Sequence, residues 1–182
     1  MIITIIGQPT SGKTTLVRSI IKGLGSYKEC EPFPLFKCQE HNDILIIGRY
    51  PENETFGGTD KLSYGTISKF RDFINEQVKS YRHIMYEGDR FSNNLEYVLD
   101  NYDAICYTLI VNAEEEKRRH ALRNDTQSET WLKGRRTQIN NFRKNFDLMN
   151  RLNVRDTSNG IEEVKKEIME IIKWEHPDKT RY

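Results

Sequence analysis

Ile2-Ile3-Thr4-Ile5-Ile6 runs directly into Gly7-Gln8-Pro9-Thr10-Ser11-Gly12-Lys13-Thr14, after which Leu16, Val17, Ile20, Ile21 and Leu24 recur at helical spacing. The β-branched run predicts a buried strand and the recurrence predicts an amphipathic helix. The eight residues between them match G-x-x-x-x-G-K-T, in which two glycines let the backbone curl so that successive N–H groups face phosphate oxygens. In this pattern Lys13 reaches the β- and γ-phosphates, and the Thr14 hydroxyl is placed to ligate Mg²⁺. Eight residues alone can match by chance, but strand, loop and helix stand here in the order the motif requires. The stretch therefore predicts a grip for a nucleotide triphosphate built from Gly7, Gln8, Pro9, Thr10, Ser11, Gly12, Lys13, Thr14 and Thr15.

The rest of the composition narrows the class. A chain of 182 residues is long enough for one well-cored domain and short for two, so a single domain is expected. No apolar run approaches the roughly 18 residues that cross a bilayer, and the N-terminal run ends at Gly7, which reads as a core strand rather than a signal peptide. Cys30, Cys38 and Cys106 have no C-x-x-C spacing, which favours reduced thiols in the cytoplasm. The scattered His41, His83, His120 and His176 do not suggest a metal cluster. With 28 Lys and Arg against 27 Asp and Glu, no global basic signature of nucleic-acid binding is present. Between positions 117 and 144, however, nine basic residues face only two acidic ones, so that segment must meet anions or water.

Along the chain, Gly23 and Gly25 are expected to end the first helix. Leu35-Phe36-Lys37-Cys38 and Ile44-Leu45-Ile46-Ile47 read as an antiparallel hairpin across residues 40–43, with a longer loop as the alternative. Residues 51–63, with Gly57-Gly58, read as a loop, and helix returns around Ile67, Phe70, Phe73, Ile74 and Val78. His83-Ile84-Met85-Tyr86 and residues 104–111 read as central strands. Helical pattern resumes from Glu114, breaks near 124–129 and continues from about Trp131 through Ile139, Phe142, Phe146 and Met149. Val154 leads a last strand, and Ser158 or Asn159 caps a final helix carrying Ile161, Val164, Ile168, Ile171 and Ile172 on one face. Strands alternating with helices after a phosphate loop predict a mainly parallel sheet covered on both faces, with an antiparallel hairpin insertion and a helical lid over about 114–136.

Phosphate loops serve switches, motors and phosphotransferases. There is no N-K-x-D segment for guanine recognition, and the chain lacks the extra domains of a motor. A phosphotransferase needs a carboxylate near Mg²⁺, a place for the acceptor and cations that neutralise the transferring group. Glu87, at a strand end, is the first carboxylate candidate, followed at once by Asp89 and Arg90; the bland reading is a charged loop cap. Arg119, Arg123, Arg135 and Arg136 are the cations, because bidentate guanidinium suits phosphate oxygens; Arg118 and Arg143 read as solvated. Asp60 is an acceptor-side candidate or a helix cap near Gly65. Tyr50, Phe56, Tyr64 and Phe91 would stack on an acceptor base or belong to the core, and Trp131 and Trp174 are assigned to packing.

The phosphate loop, the Glu87-Gly88-Asp89-Arg90 turn and the arginine-rich lid together resemble the nucleoside monophosphate kinase superfamily, thymidylate kinase included. More narrowly, Gly57-Gly58-Thr59-Asp60-Lys61-Leu62-Ser63, Glu87-Gly88-Asp89-Arg90-Phe91 and Trp131-Leu132-Lys133-Gly134-Arg135-Arg136-Thr137 resemble bacteriophage kinases of 5-hydroxymethyluracil in DNA. The resemblance implies a P-loop kinase fold, ATP and Mg²⁺ as cofactors, Arg90 at the acceptor and the turn at Thr157 near the donor base. It also implies a nucleotide or modified DNA base as acceptor, DNA contact through the lid, and host cytoplasm as the compartment if the protein is phage-encoded. A hydroxyl acceptor, unlike an ionised phosphate, benefits from a carboxylate base, and Glu87, Asp89 and Asp60 exceed what Mg²⁺ requires. Which of Glu87 and Asp89 is the base stays open, as does ATP against GTP. The sequence carries no signal of oligomeric state. Three readings remain: a kinase of hydroxymethylated bases in DNA, a kinase of free nucleotides or a small metabolite, and a non-enzymatic nucleotide-dependent binding module.

Overall fold

A computed structural model describes residues 1–174 except 53, 55, 56 and 124–126. In chain order the elements are β1 (Ile2–Gly7), α1 (Lys13–Leu24), β2 (Lys28–Cys30), β3 (Cys38–His41), β4 (Ile44–Ile47), α2 (Phe70–Gln77), β5 (His83–Glu87), α3 (Leu95–Asn101), β6 (Ala104–Ile110), α4 (Ala113–Arg123), α5 (Glu129–Lys144), β7 (Leu152–Asp156) and α6 (Glu162–Lys173). They form one seven-stranded sheet in the order β2-β3-β4-β5-β1-β6-β7. β4, β5, β1, β6 and β7 are parallel, and β2 and β3 add an antiparallel edge.

Alternation along β1 builds both faces. Ile3 and Ile5 point to the side covered by α1 and α6, where Leu16, Val17, Ile20, Val164, Ile168 and Ile172 close one core. Ile2 joins Phe36, Phe70, Phe73 and Ile74 under α2, and Ile6 joins Leu95, Leu99 and Ile139 under α3 and α5. This is the α/β sheet covered on both faces that the strand–helix alternation predicts. The register sets Ile5 beside Glu87 and Gly7 beside Leu109, so the phosphate loop, Glu87 and the end of β6 leave the sheet together at its C-terminal edge. Open α/β sheets place their ligands at that edge.

Several local expectations are corrected. The hairpin turns on Asn42-Asp43, with Asn42 at φ 54, so Glu40 and His41 lie in β3 and Phe36 is a buried loop residue. Gly23 stays within α1, and Gly25 at φ 83 follows its last turn. β2 and α3 have short, mixed sequences that gave no periodic signal. The segment 51–63 contains a 3-10 turn over Thr59–Lys61, and Gly58 pairs with Arg49 in an isolated antiparallel bridge. The helix reaching from Trp131 stops at Lys144, leaving Phe146 82% exposed and Met149 in a separate 3-10 turn. Neither Ser158 nor Asn159 caps α6. Ser158 donates to Asp156 and accepts from the Asn112 N–H, and Ile161 occupies the capping position.

Candidate active site

The loop from Gly7 to α1 is shaped for an anion. Gly12 caps α1 at φ 89 without any side-chain hydrogen bond, and the first turn holds no acidic residue. The N–H groups there are left for a ligand, and the helix dipole favours a negative one. Thr10, at φ 57, bends the loop, while the buried Thr10 and Ser11 hydroxyls have no protein partner among the described residues. Gln8 is anchored, its Oε1 accepting from the Val111 N–H at 2.9 Å. Lys13 folds back to donate to the carbonyls of Gly7 (2.9 Å) and Gln8 (3.0 Å).

A cleft of about 550 Å³ opens above this loop. Pro9, Thr10, Lys13 and Thr14 form its floor, Glu87, Asp89, Arg90 and Asp60 one wall, and Arg123 and Arg135 part of the other. The Thr14 hydroxyl donates to Glu87 Oε1 at 2.9 Å. Burial pushes the Glu87 carboxyl up to about 8; Lys13 opposes the rise, Asp60 adds to it, and the Thr14 hydrogen bond lowers it again. Asp60 is likewise raised, by desolvation first and then by Asp89, with Lys13 and Arg90 opposing. Asp60 does not cap the following turn, since the Ser63 hydroxyl accepts from the Gly65 N–H there.

The glycine-rich segment is pinned to the end of β5. A Cβ on Gly58 (φ 79) would lie 2.0 Å from Glu87 Oε1, and one on Gly88 would meet the Thr59 hydroxyl at 2.9 Å. Thr59 donates to the Glu87 carbonyl at 2.8 Å, and Arg90 Nη2 donates to the Asp60 carbonyl at 2.7 Å. The Arg90 guanidinium stacks 3.7 Å from the Tyr64 ring, leaving its buried Nε and Nη1 without a partner among the described residues. One Asp89 oxygen has no hydrogen bond among the described residues; the other is 3.8 Å from Arg135 Nε.

The four lid arginines separate by position. Arg123 and Arg135 line the cleft. Arg119 instead clamps the phosphate loop to the turn after β7, donating to the carbonyls of Thr10 (3.1 Å) and Thr157 (2.5 Å). Arg136 faces away, paired with Glu116 (2.9 Å) and Glu129 (2.8 Å). The expectation that all four close over the transfer is corrected accordingly, because acidic partners on α4 and α5 hold two of them elsewhere. Arg119 also walls a second pocket of about 300 Å³ with Thr10, Gly12, Thr15, Leu122 and Ile161. Thr157 borders that region, its hydroxyl donating to the Ser11 carbonyl at 2.7 Å.

Tyr50 and Phe91 are core residues rather than acceptor platforms. Tyr50 packs with Ile44 and Ile46, and Phe91 stacks on Phe70 at 4.1 Å with no exposed surface. Phe56 lies outside the described residues. Trp131, expected in packing, is 40% exposed on the cleft wall, while Trp174 is 65% exposed beside Tyr107 and Ile171. Ser92, Asn93 and Gln138 also line the cleft and were missed. Ser92 and Asn93 come just after Asp89-Arg90-Phe91, and that closeness is their signal; Gln138 has none.

The model of the family P-loop Nucleotide Kinase3 matches residues 1–172. The chain belongs to this family. It is thus a P-loop nucleotide kinase, a phosphotransferase that binds nucleotide, and the binding-module reading falls away. No curated protein sequence matches the kinase. Among solved structures the kinase is similar to deoxyadenosine kinase from M. mycoides with bound dATP, at 16% identity and a TM-score of 0.48, over 96% of this chain and 100% of that one. No helix among the kinase's described residues is long and apolar enough to cross a membrane.

Proposed function

We propose that the kinase moves the γ-phosphate of ATP to a hydroxyl of a nucleotide-like acceptor, with 5-hydroxymethyluracil in DNA as the acceptor the sequence resemblance favours. The observation that carries this reading is the single cleft in which the phosphate loop and three carboxylates face one another. Residues Gly7, Gln8, Pro9, Thr10, Ser11, Gly12, Lys13, Thr14 and Thr15 hold the donor phosphates. The donor base is assigned to the pocket walled by Thr15, Arg119, Leu122 and Ile161, beside the turn at Thr157 that Arg119 holds. Thr14 and Glu87 offer hard oxygen donors beside the loop, 2.9 Å apart, and suit Mg²⁺, which keeps few protein ligands when it also binds phosphates. When bound, Mg²⁺ neutralises phosphate charge.

That assignment leaves Asp89 as the base. Glu87 is fully buried and tied to Thr14, whereas Asp89 stands on the acceptor wall with one oxygen that has no hydrogen bond among the described residues. Asp89 takes the hydroxyl proton as the new P–O bond forms and the bond from the γ-phosphorus to the β,γ-bridging oxygen breaks, ADP leaving with that oxygen, while Lys13, Arg123 and Arg135 offset the charge on the phosphoryl oxygens. Asp60 and Arg90 position the acceptor. Tyr64 and Trp131, exposed at the rim, offer ring faces to a base turned out of a duplex. The described residues act as one kinase unit, with α4 and the start of α5 as its lid.

A second reading, a nucleoside monophosphate as acceptor, is favoured by Arg90, whose Nε and Nη1 have no hydrogen-bond partner among the described residues and suit a phosphate. One experiment separates the two. Incubation with γ-labelled ATP and a panel of 5-hydroxymethyluracil DNA, ordinary DNA, deoxynucleoside monophosphates and nucleosides is expected to label only the hydroxymethylated DNA. Label on the monophosphates instead selects the second reading. Asp89→Asn is expected to slow transfer to the hydroxymethylated DNA by at least about 100-fold; transfer at the parent rate removes the base role.

A further inference from the structure

The lid helix α5 is half core and half cleft wall. Ile139 is 1% exposed and, with Phe142, packs among Ile6, Leu95, Leu99 and Leu148. The helix therefore cannot swing as a body without opening that cluster. One and two turns earlier, Arg135 and Trp131 face the cleft. Gln138 sits at the boundary, next to the core anchor, and both ends of its amide are engaged. Its Oε1 accepts from Arg135 Nη1 at 2.8 Å, and its Nε2 donates to the Ser92 hydroxyl at 3.1 Å. Ser92 spends its own proton on the Asp89 carbonyl at 2.8 Å, so towards Gln138 it can only accept.

These bonds form a directed chain from a cation on the lid to the backbone of the acceptor-side carboxylate. Arg135 is also held by its contact with Asp89 and lies 5.3 Å from the Trp131 ring. A glutamine is the side chain that serves both neighbours: a carboxylate would keep Arg135 and lose the donation to Ser92, and an aliphatic group would lose both. We propose that Gln138 is a positioning residue which fixes Arg135 against the Asp89 turn, so that lid cation and acceptor carboxylate keep one relative geometry during transfer. The inference rests on the reading of Asp89 and Arg135 as the groups that flank the acceptor. Misplacement of such groups by about 1 Å can cost roughly 100-fold in rate.

The test uses Gln138→Leu, Gln138→Glu and Ser92→Ala in the full chain, with two readouts. Transfer of label from γ-labelled ATP to the acceptor panel is compared with ATP hydrolysis in the absence of acceptor. Separately, acrylamide quenching of Trp131 emission is measured in a Trp174→Phe background, where Trp131 is the one remaining tryptophan of two. Gln138→Leu is expected to lower kcat for transfer by roughly 10- to 100-fold, to raise hydrolysis relative to transfer, and to leave the KM for ATP within about twofold. It should also make Trp131 more quenchable, because Arg135 no longer covers it. Gln138→Glu and Ser92→Ala should fall between Gln138→Leu and the parent. Wild-type partitioning and wild-type quenching in Gln138→Leu would overturn the proposal. Loss of transfer that Gln138→Glu reproduces in full, with quenching unchanged, also overturns it, since that pattern is a merely structural defect. If Arg135→Ala leaves transfer intact, the catalytic reading fails, while the quenching measurement still decides whether Gln138 holds Arg135.

Discussion

Lys13 donates to two carbonyls of its own loop, and in the proposed reading a nucleotide would exchange those bonds for stronger ones to anionic oxygen. Lys13→Ala is expected to cut transfer by at least about 100-fold while leaving the thermal transition in place, measured by label transfer and calorimetry. Elsewhere a buried side chain contributes to acid sensitivity. His83, at the start of β5, is pushed down to about 4 by burial, then by the chain's amino terminus and Arg82. Its folded value lies below the ordinary 6.5, so the unfolded chain binds more protons between the two. The stability it contributes is fully present above about pH 6.5 and is lost as pH falls through about 4. Denaturant midpoints should therefore drop between pH 6.5 and 4, and His83→Phe should flatten that part of the curve. Sequence alone could place His83 in a strand but could not show that the ring is buried.

At the scale of elements, legibility followed locality. β1, the phosphate loop and α1 could be read because motif and periodicity are contiguous, and β5 with Glu87 because a charged turn closes an apolar run. α3 escaped because Leu95-Glu96-Tyr97-Val98-Leu99-Asp100-Asn101 is under two turns long and follows a loop of similar polarity. The choice between acceptor and core for Phe91 is illegible for a related reason: adjacency to Asp89-Arg90 in sequence says nothing about direction, and its ring points into the aromatic cluster with Phe36, Phe70 and Tyr86. The bond from Gln138 to Ser92 spans 46 residues, and no periodicity announces it. α5 also carries Gly134 in its interior, and a Cβ there would meet nothing within 4 Å. Gly134→Ala should stabilise the protein by about 0.5–1 kcal/mol, read from urea unfolding. If the lid must bend at this point, the same variant will lose activity.

Across the whole molecule, the basic excess of the lid is smaller than its sequence implies. Arg118 and Arg119 pair with Glu115, and Arg136 pairs with Glu116 and Glu129. Arg135 faces Asp89. Within the described residues, Lys117, Lys133, Arg143 and Lys144 hold no ion pair and remain for external phosphates. Each phosphate neutralised contributes about −0.9 to the slope of log K against log salt, so DNA binding should show a slope no steeper than about −4. A fluorescence titration of labelled duplex between low and moderate salt measures it. A markedly steeper slope would mean that another surface engages the duplex.

The approach of Gly58 to Glu87 has a consequence for the order of events. No atom separates the segment that carries Asp60 from the carboxylate that answers to the nucleotide side, so a shift on either side is a change in free energy on the other. Reciprocity then holds for any coupling carried by this contact: whatever factor the nucleotide applies to acceptor affinity, the acceptor returns to the nucleotide. A coupling through this contact is expected to make the Kd for ATP differ with and without acceptor, which a nucleotide titration in both conditions measures.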